Sequence, residues 1–270
     1  MNVDTMTWEE AVKWLRSQPG QVEMVRACFY DDPLTDAAER YFNSTEWAAV
    51  RRLLPTSRGR ALDVGAGRGI AAYALARDGW RTTAVEPNPS PLVGTAAIRS
   101  LMDSSGVSVE VIQHAGERLP VADQSCELVH CRAVLHHAQD MPQFCREVAR
   151  VLVPGGLFVA TREHVISRQE DLPQFLAAHP LHRLYGGENA HLLDEYRGAI
   201  SAAGLRVRRT LNPYESDINL FPDSIVGMKR RIARRLHLPV SAFIPDALLT
   251  WLGSRLDQPG RLYTFVAQKP

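Results

Sequence analysis

The chain reads as an α/β protein: a doubly wound, Rossmann-like, mostly parallel sheet of seven strands with an N-terminal helical cap. Three observations predict this. Short apolar runs alternate with helix-length amphipathic segments between residues 60 and 211, the pattern of strands joined by right-handed crossovers. The first run breaks into glycines at alternate positions, Gly65, Gly67 and Gly69, as a buried strand does where it turns tightly into a helix. The final segment, 261–267, alternates apolar and polar residues after Gln258-Pro259-Gly260, which suits a late strand entering an edge of the sheet.

The elements follow in order. Apolar residues at helical spacing, Trp8, Val12 and Leu15 and later Trp47, Val50, Leu53 and Leu54, predict a helical cap over residues 1–57, ahead of a main domain at 58–270. A Pro- and Gly-containing break at 55–59 leads into a strand at 60–64, and the helix after the glycines ends near Gly79. Strands are expected at 81–85, 108–113, 127–131, 156–161 and 205–211. Helices are expected around 92–102, 140–153 and 192–203, with Asp140 capping the second of these. Two segments, about 163–191 and 212–260, exceed the roughly 2–6 residues of an ordinary α/β connection.

Composition excludes several classes. With 31 Lys and Arg against 30 Asp and Glu, the net charge of +1 offers no broad electrostatic footprint for nucleic acid. No apolar run approaches the roughly 20 residues that span a bilayer. The first ten residues are polar and acidic where a secretory signal is basic and then apolar, so a cytoplasmic protein is expected. Cys28, Cys126, Cys131 and Cys145 show no C-x-x-C spacing and are expected as reduced core thiols. No metal is expected, because the only adjacent histidines are His136 and His137, and chain neighbours rarely point at one ion.

Three glycines at alternate positions leave a bare backbone ledge suited to a cofactor. A dinucleotide fingerprint would need its third glycine at position 70, where this chain has Ile70. The G-x-G-x-G form behind Asp63 resembles the glycine loop of class I S-adenosylmethionine-dependent methyltransferases, in the branch that includes ubiquinone and menaquinone methyltransferases. The resemblance covers about residues 41–211 plus the last strand, which it implies runs antiparallel to the rest of the sheet.

It implies S-adenosylmethionine as cofactor on the ledge of Gly65, Ala66, Gly67 and Gly69, with Asp63 beside its cationic amino acid end. Glu86, before Pro87 at the end of strand two, would accept the ribose hydroxyls. The family reads G-D-A-x-x-L-P where this chain has His114-Ala115-Gly116-Glu117-Arg118-Leu119-Pro120. Ala115 replaces the aspartate that contacts the adenine amino group, leaving the backbone of Ala115 and Gly116 and the carboxylate of Glu117 as candidates. The end of strand four, 130–140, is similar to the family's V-L-H-H-x-x-D. There the Cys131 backbone would pass near the methionine moiety, and His136 and His137 either fill space beneath the cofactor or meet the acceptor.

The two long segments are expected to build the acceptor pocket. Methyl transfer is an in-line displacement, so alignment supplies most of the acceleration, and a base matters when the acceptor is a hydroxyl or an acidic carbon. His164, expected in the first turn beyond strand five, is the first choice of base; His137, His191 and Glu163 are alternatives, and each is otherwise a loop residue satisfying its own backbone. Lys229, Arg230, Arg231, Arg234 and Arg235 form either a solvated helix face or a lid drawing in an anionic acceptor. The expected function is methyl transfer to a small-molecule acceptor, foremost O-methylation of a sugar or secondary metabolite, with C- or N-methylation next. RNA or protein methylation, S-adenosylmethionine binding without transfer, and nicotinamide oxidoreduction are the rivals; Ile70 disfavours the last.

Overall fold

The apolar run at Arg60–Val64 forms β1, and the chain returns to the same sheet seven more times in the computed structural model, which describes residues 6–237 and 244–270. The later strands are β2 (Arg81–Val85), β3 (Glu110–Ile112), β4 (Cys126–Arg132), β5 (Leu152–Ile166), β6 (His191–Leu192), β7 (Arg206–Leu211) and β8 (Arg261–Gln268). Their order is β3-β2-β1-β4-β5-β8-β7, with the two residues of β6 beside β5. Strands β1 to β5 run parallel, while β8 is antiparallel to both of its neighbours. The order reverses between β1 and β4, so the ligand crevice of this open sheet lies outside the carboxyl ends of those strands.

Helices cover both faces because β1 and β4 bury side chains on both sides. Helices α1 (Trp8–Ser17), α2 (Val22–Ala27), α3 (Leu34–Phe42) and α4 (Thr45–Arg51) make the N-terminal segment; α5 (Ile70–Arg77) and α6 (Thr95–Ser105) follow β1 and β2. Then come α7 (Met141–Val151), α8 (Leu172–Ala178), α9 (His182–Tyr185), α10 (Leu193–Ala202), α11 (Asp217–Leu220), α12 (Ile225–Arg235) and α13 (Asp246–Ser254). One core cluster joins Tyr41, Trp47, Tyr73, Leu75, Ile98 and Leu101, and the other joins Phe144, Val148, Tyr196, Ile200 and Phe265. Asp140 caps α7 as expected, its Oδ1 accepting the Gln143 N–H at 2.8 Å.

Four expectations change. Strand five does not stop at residue 161. It runs to Ile166 because β8 pairs with Glu163, His164 and Val165 past an irregularity at Arg162, whose φ is 60°. The polar run Arg162-Glu163-His164 hides this extension, and His164 is a strand residue rather than a turn residue. Strand β8 lies between β5 and β7 instead of at an edge, which falls to β7. The sheet has eight strands, the extra one being β6 inside the 163–191 segment.

Within the segment 1–57 the described residues carry α1 to α4. Helices α3 and α4 contribute Tyr41 and Trp47 to the main core, while α1 reaches over towards α9. The 212–260 segment carries α11 to α13 and packs a small cluster of its own, Ala233, Ile244 and Leu249; its residues 238–243 lie outside the described residues, as do 1–5 of the N-terminus. All four cysteines are free, three of them buried. Among the described residues no helix is long and apolar enough to cross a membrane.

One buried ion pair ties α4 to the end of β4. Glu46, with no solvent exposure, accepts Arg132 Nε at 2.6 Å and Nη2 at 3.0 Å in a two-pronged contact. Removing one partner leaves a buried charge uncompensated. Glu46→Ala is therefore expected to destabilise the fold by about 3–5 kcal/mol, read as a lower urea midpoint; an unchanged midpoint would exclude this pair from the contacts that hold α4.

Candidate active site

The glycine loop is shaped by conformation at one position and space at another. Gly65, Gly67 and Gly69 have φ of 67°, 55° and 83°. A Cβ at Gly65 would stand 2.7 Å from Val134, whereas one at Gly67 would project into open space. Gly67 is thus the bare ledge facing the crevice, and Gly65 is needed for close packing against the end of β4. Gly69 starts α5 in the left-handed conformation, and Ala66 is buried behind the loop.

Glu86 fastens this loop to β2. Its Oε2 accepts the Gly67 N–H at 2.8 Å and its Oε1 the Asn88 N–H at 2.9 Å, beyond the exposed Pro87. Burial pushes its pKa above the usual carboxylate value, against the pull of both N–H groups. Each oxygen keeps acceptor capacity for a diol. Asp63 differs from expectation. It is buried within the sheet beside its register partner on β4, His130, whose Nδ1 it meets at 2.8 Å, while its Oδ2 has no partner. Its side chain is 2% exposed.

The adenine side is sparse. Ala115 is exposed, but a Cβ on Gly116 would collide with Phe144, so that glycine serves packing. Glu117 spends one oxygen on the Gln139 N–H at 2.9 Å, which weakens its candidacy as the missing acceptor. Cys131 is fully buried with its carbonyl taken by Thr161 Oγ1 at 3.2 Å. The crevice wall is instead Ala133, at φ 56°, and Val134.

On the other side the long β5 brings histidines together. Glu163, fully buried, accepts the N–H groups of Val134 and Leu135 at 3.2 Å each and of His136 at 3.1 Å, and also meets His136 Nδ1 at 2.6 Å. Burial opposes its charge, but His136 and these N–H groups outweigh burial and hold Glu163 below the usual carboxylate range. It is a buttress and a poor base. Burial likewise opposes charge on His136, yet Glu163 and Glu188 lift it to about 9, so it is an imidazolium at neutral pH. Its ring lies 4.2 Å from that of His137 and 4.8 Å from that of His164.

His164 donates from Nδ1 to the Gly260 carbonyl at 2.8 Å, and its ring meets that of His136 at 4.8 Å. Burial, then the charge on His136, pushes it down to about 3. His137 stands at the open edge with its side chain 35% exposed; its Nδ1 donates to the Gly187 carbonyl at 2.9 Å. Partial burial and the His136 charge keep it neutral. His191, on β6, turns to Tyr196 and Glu195.

Glu188 is the residue that sequence reasoning passed over. Its Oε2 lies 3.7 Å from His136 Nε2 and 3.8 Å from His137 Nε2, and its Oε1 takes the Tyr185 hydroxyl at 2.7 Å. Burial opposes its charge, but the surrounding histidines and Tyr185 hold its pKa well below the usual value. The argument against a metal concerned neighbours on the chain. The fold instead brings ligand atoms of His136, His164 and Glu188 within 4.8 Å of one another.

The cap closes this side. Trp8 packs edge-on against Tyr185 at 4.6 Å and Tyr30 at 5.6 Å, and the Met6 N–H donates to Leu184 O at 3.0 Å. Arg68, inside the glycine loop, binds the carbonyls of Phe29 and Asp31 at 2.9 Å each and pairs with Asp32. The basic run forms α12, where Lys229 pairs with Asp246 and Arg231 with Asp223; Arg230, Arg234 and Arg235 are exposed, as on a solvated face. A groove of about 960 Å³ lined by Arg60, Arg81, Glu110 and Ser125 lies at the opposite, amino ends of the strands, away from Gly67 and Glu86.

Residues 62–160 match a family model described as a methyltransferase domain. The ubiquinone biosynthesis O-methyltransferase of Rhizobium leguminosarum bv. trifolii is 30% identical over 177 residues, covering 62% of this chain and 69% of that protein. The chain belongs to the S-adenosylmethionine-dependent methyltransferases. The enzyme of the same description from Methylobacterium nodulans is 32% identical over 165 residues, 58% of this chain, and the match spans 64% of that relative's length. A solved S-adenosylmethionine-dependent methyltransferase from Mesorhizobium loti shares the fold at a TM-score of 0.57, with 17% identity, 85% of this chain and 100% of that one covered.

The open ledge at Gly67, the spare acceptor capacity of Glu86 and the exposed Ala115 fit the family cofactor, S-adenosylmethionine. In this methyltransferase Glu86→Gln is expected to weaken cofactor binding about 10- to 100-fold by calorimetry, the worth of a hydrogen bond to a charged group. Because burial raises the Glu86 pKa, wild-type affinity should begin to fall at a pH above the usual carboxylate range as the carboxyl takes up its proton. An affinity unaltered in Glu86→Gln would remove Glu86 from the cofactor site.

Proposed function

We propose that this methyltransferase methylates a hydroxyl of a small-molecule acceptor, a sugar or secondary metabolite, held between the ends of β4 and β5 and the N-terminal helices. The observation that carries this reading is the group of His136, His137, His164 and Glu188 beside the Ala133–Val134 turn, which itself packs on the glycine loop. Trp8, Tyr30 and Tyr185 roof that space with aromatic surface, which favours a small acceptor over a folded macromolecule. The relatives named as O-methyltransferases agree with a hydroxyl acceptor.

S-adenosylmethionine, when bound, supplies an electrophilic methyl group on a sulfonium. The chain's own residues orient the acceptor and take its proton. His137 suits that role better than His164, the first choice on sequence. With Nδ1–H held by the Gly187 carbonyl, its Nε2 carries the lone pair, and Glu188 at 3.8 Å favours the imidazolium formed when the acceptor proton arrives. His164, pushed down to about 3 beside a charged neighbour, holds a proton poorly. The basic α12 is the sole support for RNA as acceptor, and two of its five cations are paired to carboxylates.

Incubating the protein with methyl-labelled S-adenosylmethionine and a host extract tests the reading. Label should enter the small-molecule fraction and withstand mild base, as an ether does and an ester does not; label in nucleic acid or protein would overturn it. With the acceptor in hand, His137→Gln is expected to lower kcat about 10²- to 10⁴-fold at unchanged cofactor affinity, and near-full turnover would exclude His137 as the base.

A further inference from the structure

We propose that His136, His164 and Glu188 form a binding site for a divalent metal of zinc-like softness, with its fourth position open towards His137 and the crevice. Ligand atoms of the three side chains lie within 4.8 Å of one another, and His136 Nε2 stands 3.7 Å from Glu188 Oε2. A tetrahedral zinc site with bonds near 2.1 Å has ligand-to-ligand edges of roughly 3.4 Å, so closure asks for side-chain movements of about 1 Å or less.

The surroundings of the three residues match what metal ligands need. A histidine ligand usually donates its second ring N–H to a carboxylate or carbonyl, which fixes the tautomer and aims the free lone pair. His136 meets Glu163 through Nδ1 at 2.6 Å, and His164 donates from Nδ1 to the Gly260 carbonyl at 2.8 Å. Both Nε2 atoms therefore remain for the shared space. The Tyr185 hydroxyl similarly occupies Glu188 Oε1 and leaves Oε2 facing the histidines. All three are oriented by partners drawn from outside the ligand set.

Charge points the same way. Two buried carboxylates, Glu163 and Glu188, share this space, and among the described residues no Lys or Arg lies within ion-pairing distance of either. A divalent cation that takes the Nε2 lone pairs of His136 and His164, with the Nε2 proton of His136 released to solvent, balances both carboxylates. Two neutral imidazoles and one carboxylate suit zinc, whereas magnesium prefers oxygen ligands alone. Use of the open position by an acceptor hydroxyl rests on the methyl-transfer reading; binding of the ion does not.

The test is a zinc titration of tag-free, chelator-stripped full-length protein against a chromophoric competitor, without cofactor or acceptor, repeated with cobalt to read the visible absorption of the bound ion. The expected result is one equivalent of zinc and a cobalt spectrum of tetrahedral intensity. His164→Gln and Glu188→Gln should each abolish saturable binding, and Glu163→Gln should weaken it about 10- to 100-fold. Circular dichroism and S-adenosylmethionine binding, both retained, identify variants that still fold. No stoichiometric zinc on the wild type, or equal zinc on folded His164→Gln and Glu188→Gln, overturns the proposal. Loss of methyl transfer with zinc retained would count against the reaction alone.

Discussion

The carboxylate of Glu163 sets the geometry of the turn that follows β4. Strand β4 ends at Arg132 while β5 continues to Ile166, so the backbone after β4 loses its sheet partner inside the protein. Three consecutive N–H groups, of Val134, Leu135 and His136, would be orphaned there, and an unsatisfied buried donor costs about 1–3 kcal/mol. Glu163 reaches across from β5 and accepts all three together with His136 Nδ1. The turn, the direction of the His136 ring and the contact between Val134 and Gly65 all depend on that one buried charge.

A second set of buried charges links the N-terminal helices to both halves of the crevice. Arg68 carries the glycine loop to the carbonyls of Phe29 and Asp31, and Glu46 holds Arg132 at the end of β4. Arg162, at the irregularity in β5, binds the carbonyls of Ile218 and Phe221, and Phe221 stacks on Phe29 at 5.4 Å. Guanidinium groups suit these places because several donors in a fixed fork satisfy several carbonyls at once. The position of the N-terminal helices is therefore tied to the ends of β4 and β5 and to the glycine loop.

What was legible in the sequence was local. Strands β1 and β2 begin and end where apolar runs and glycine breaks place them, and Asp140 caps α7 three residues before its N–H donor. Gly67 and Glu86 belong to one loop and one strand end, and meet as a motif of that spacing requires. The middle of β5 was not legible, because Arg162-Glu163-His164 looks like solvated loop until β8 is known to pair with it. His130, Arg68 and Glu188 carry no local signal; each acquires meaning from a partner at least 36 residues away, as His130 does from Asp63.

The sequence by itself determined the fold class and the family, since hydrophobic period, backbone conformation at glycine and a strand-end carboxylate are properties of short segments. Only the tertiary structure decided how the histidines are used. Adjacency on the chain argued that His136 and His137 could not share an ion, but the neighbour that matters to His136 is His164, brought beside it by an extended strand, and Glu188, brought by the segment folded over it. Protonation follows from that packing. Two buried carboxylates hold His136 charged, the charge on His136 and burial hold His164 neutral, and neither effect exists before the chain closes.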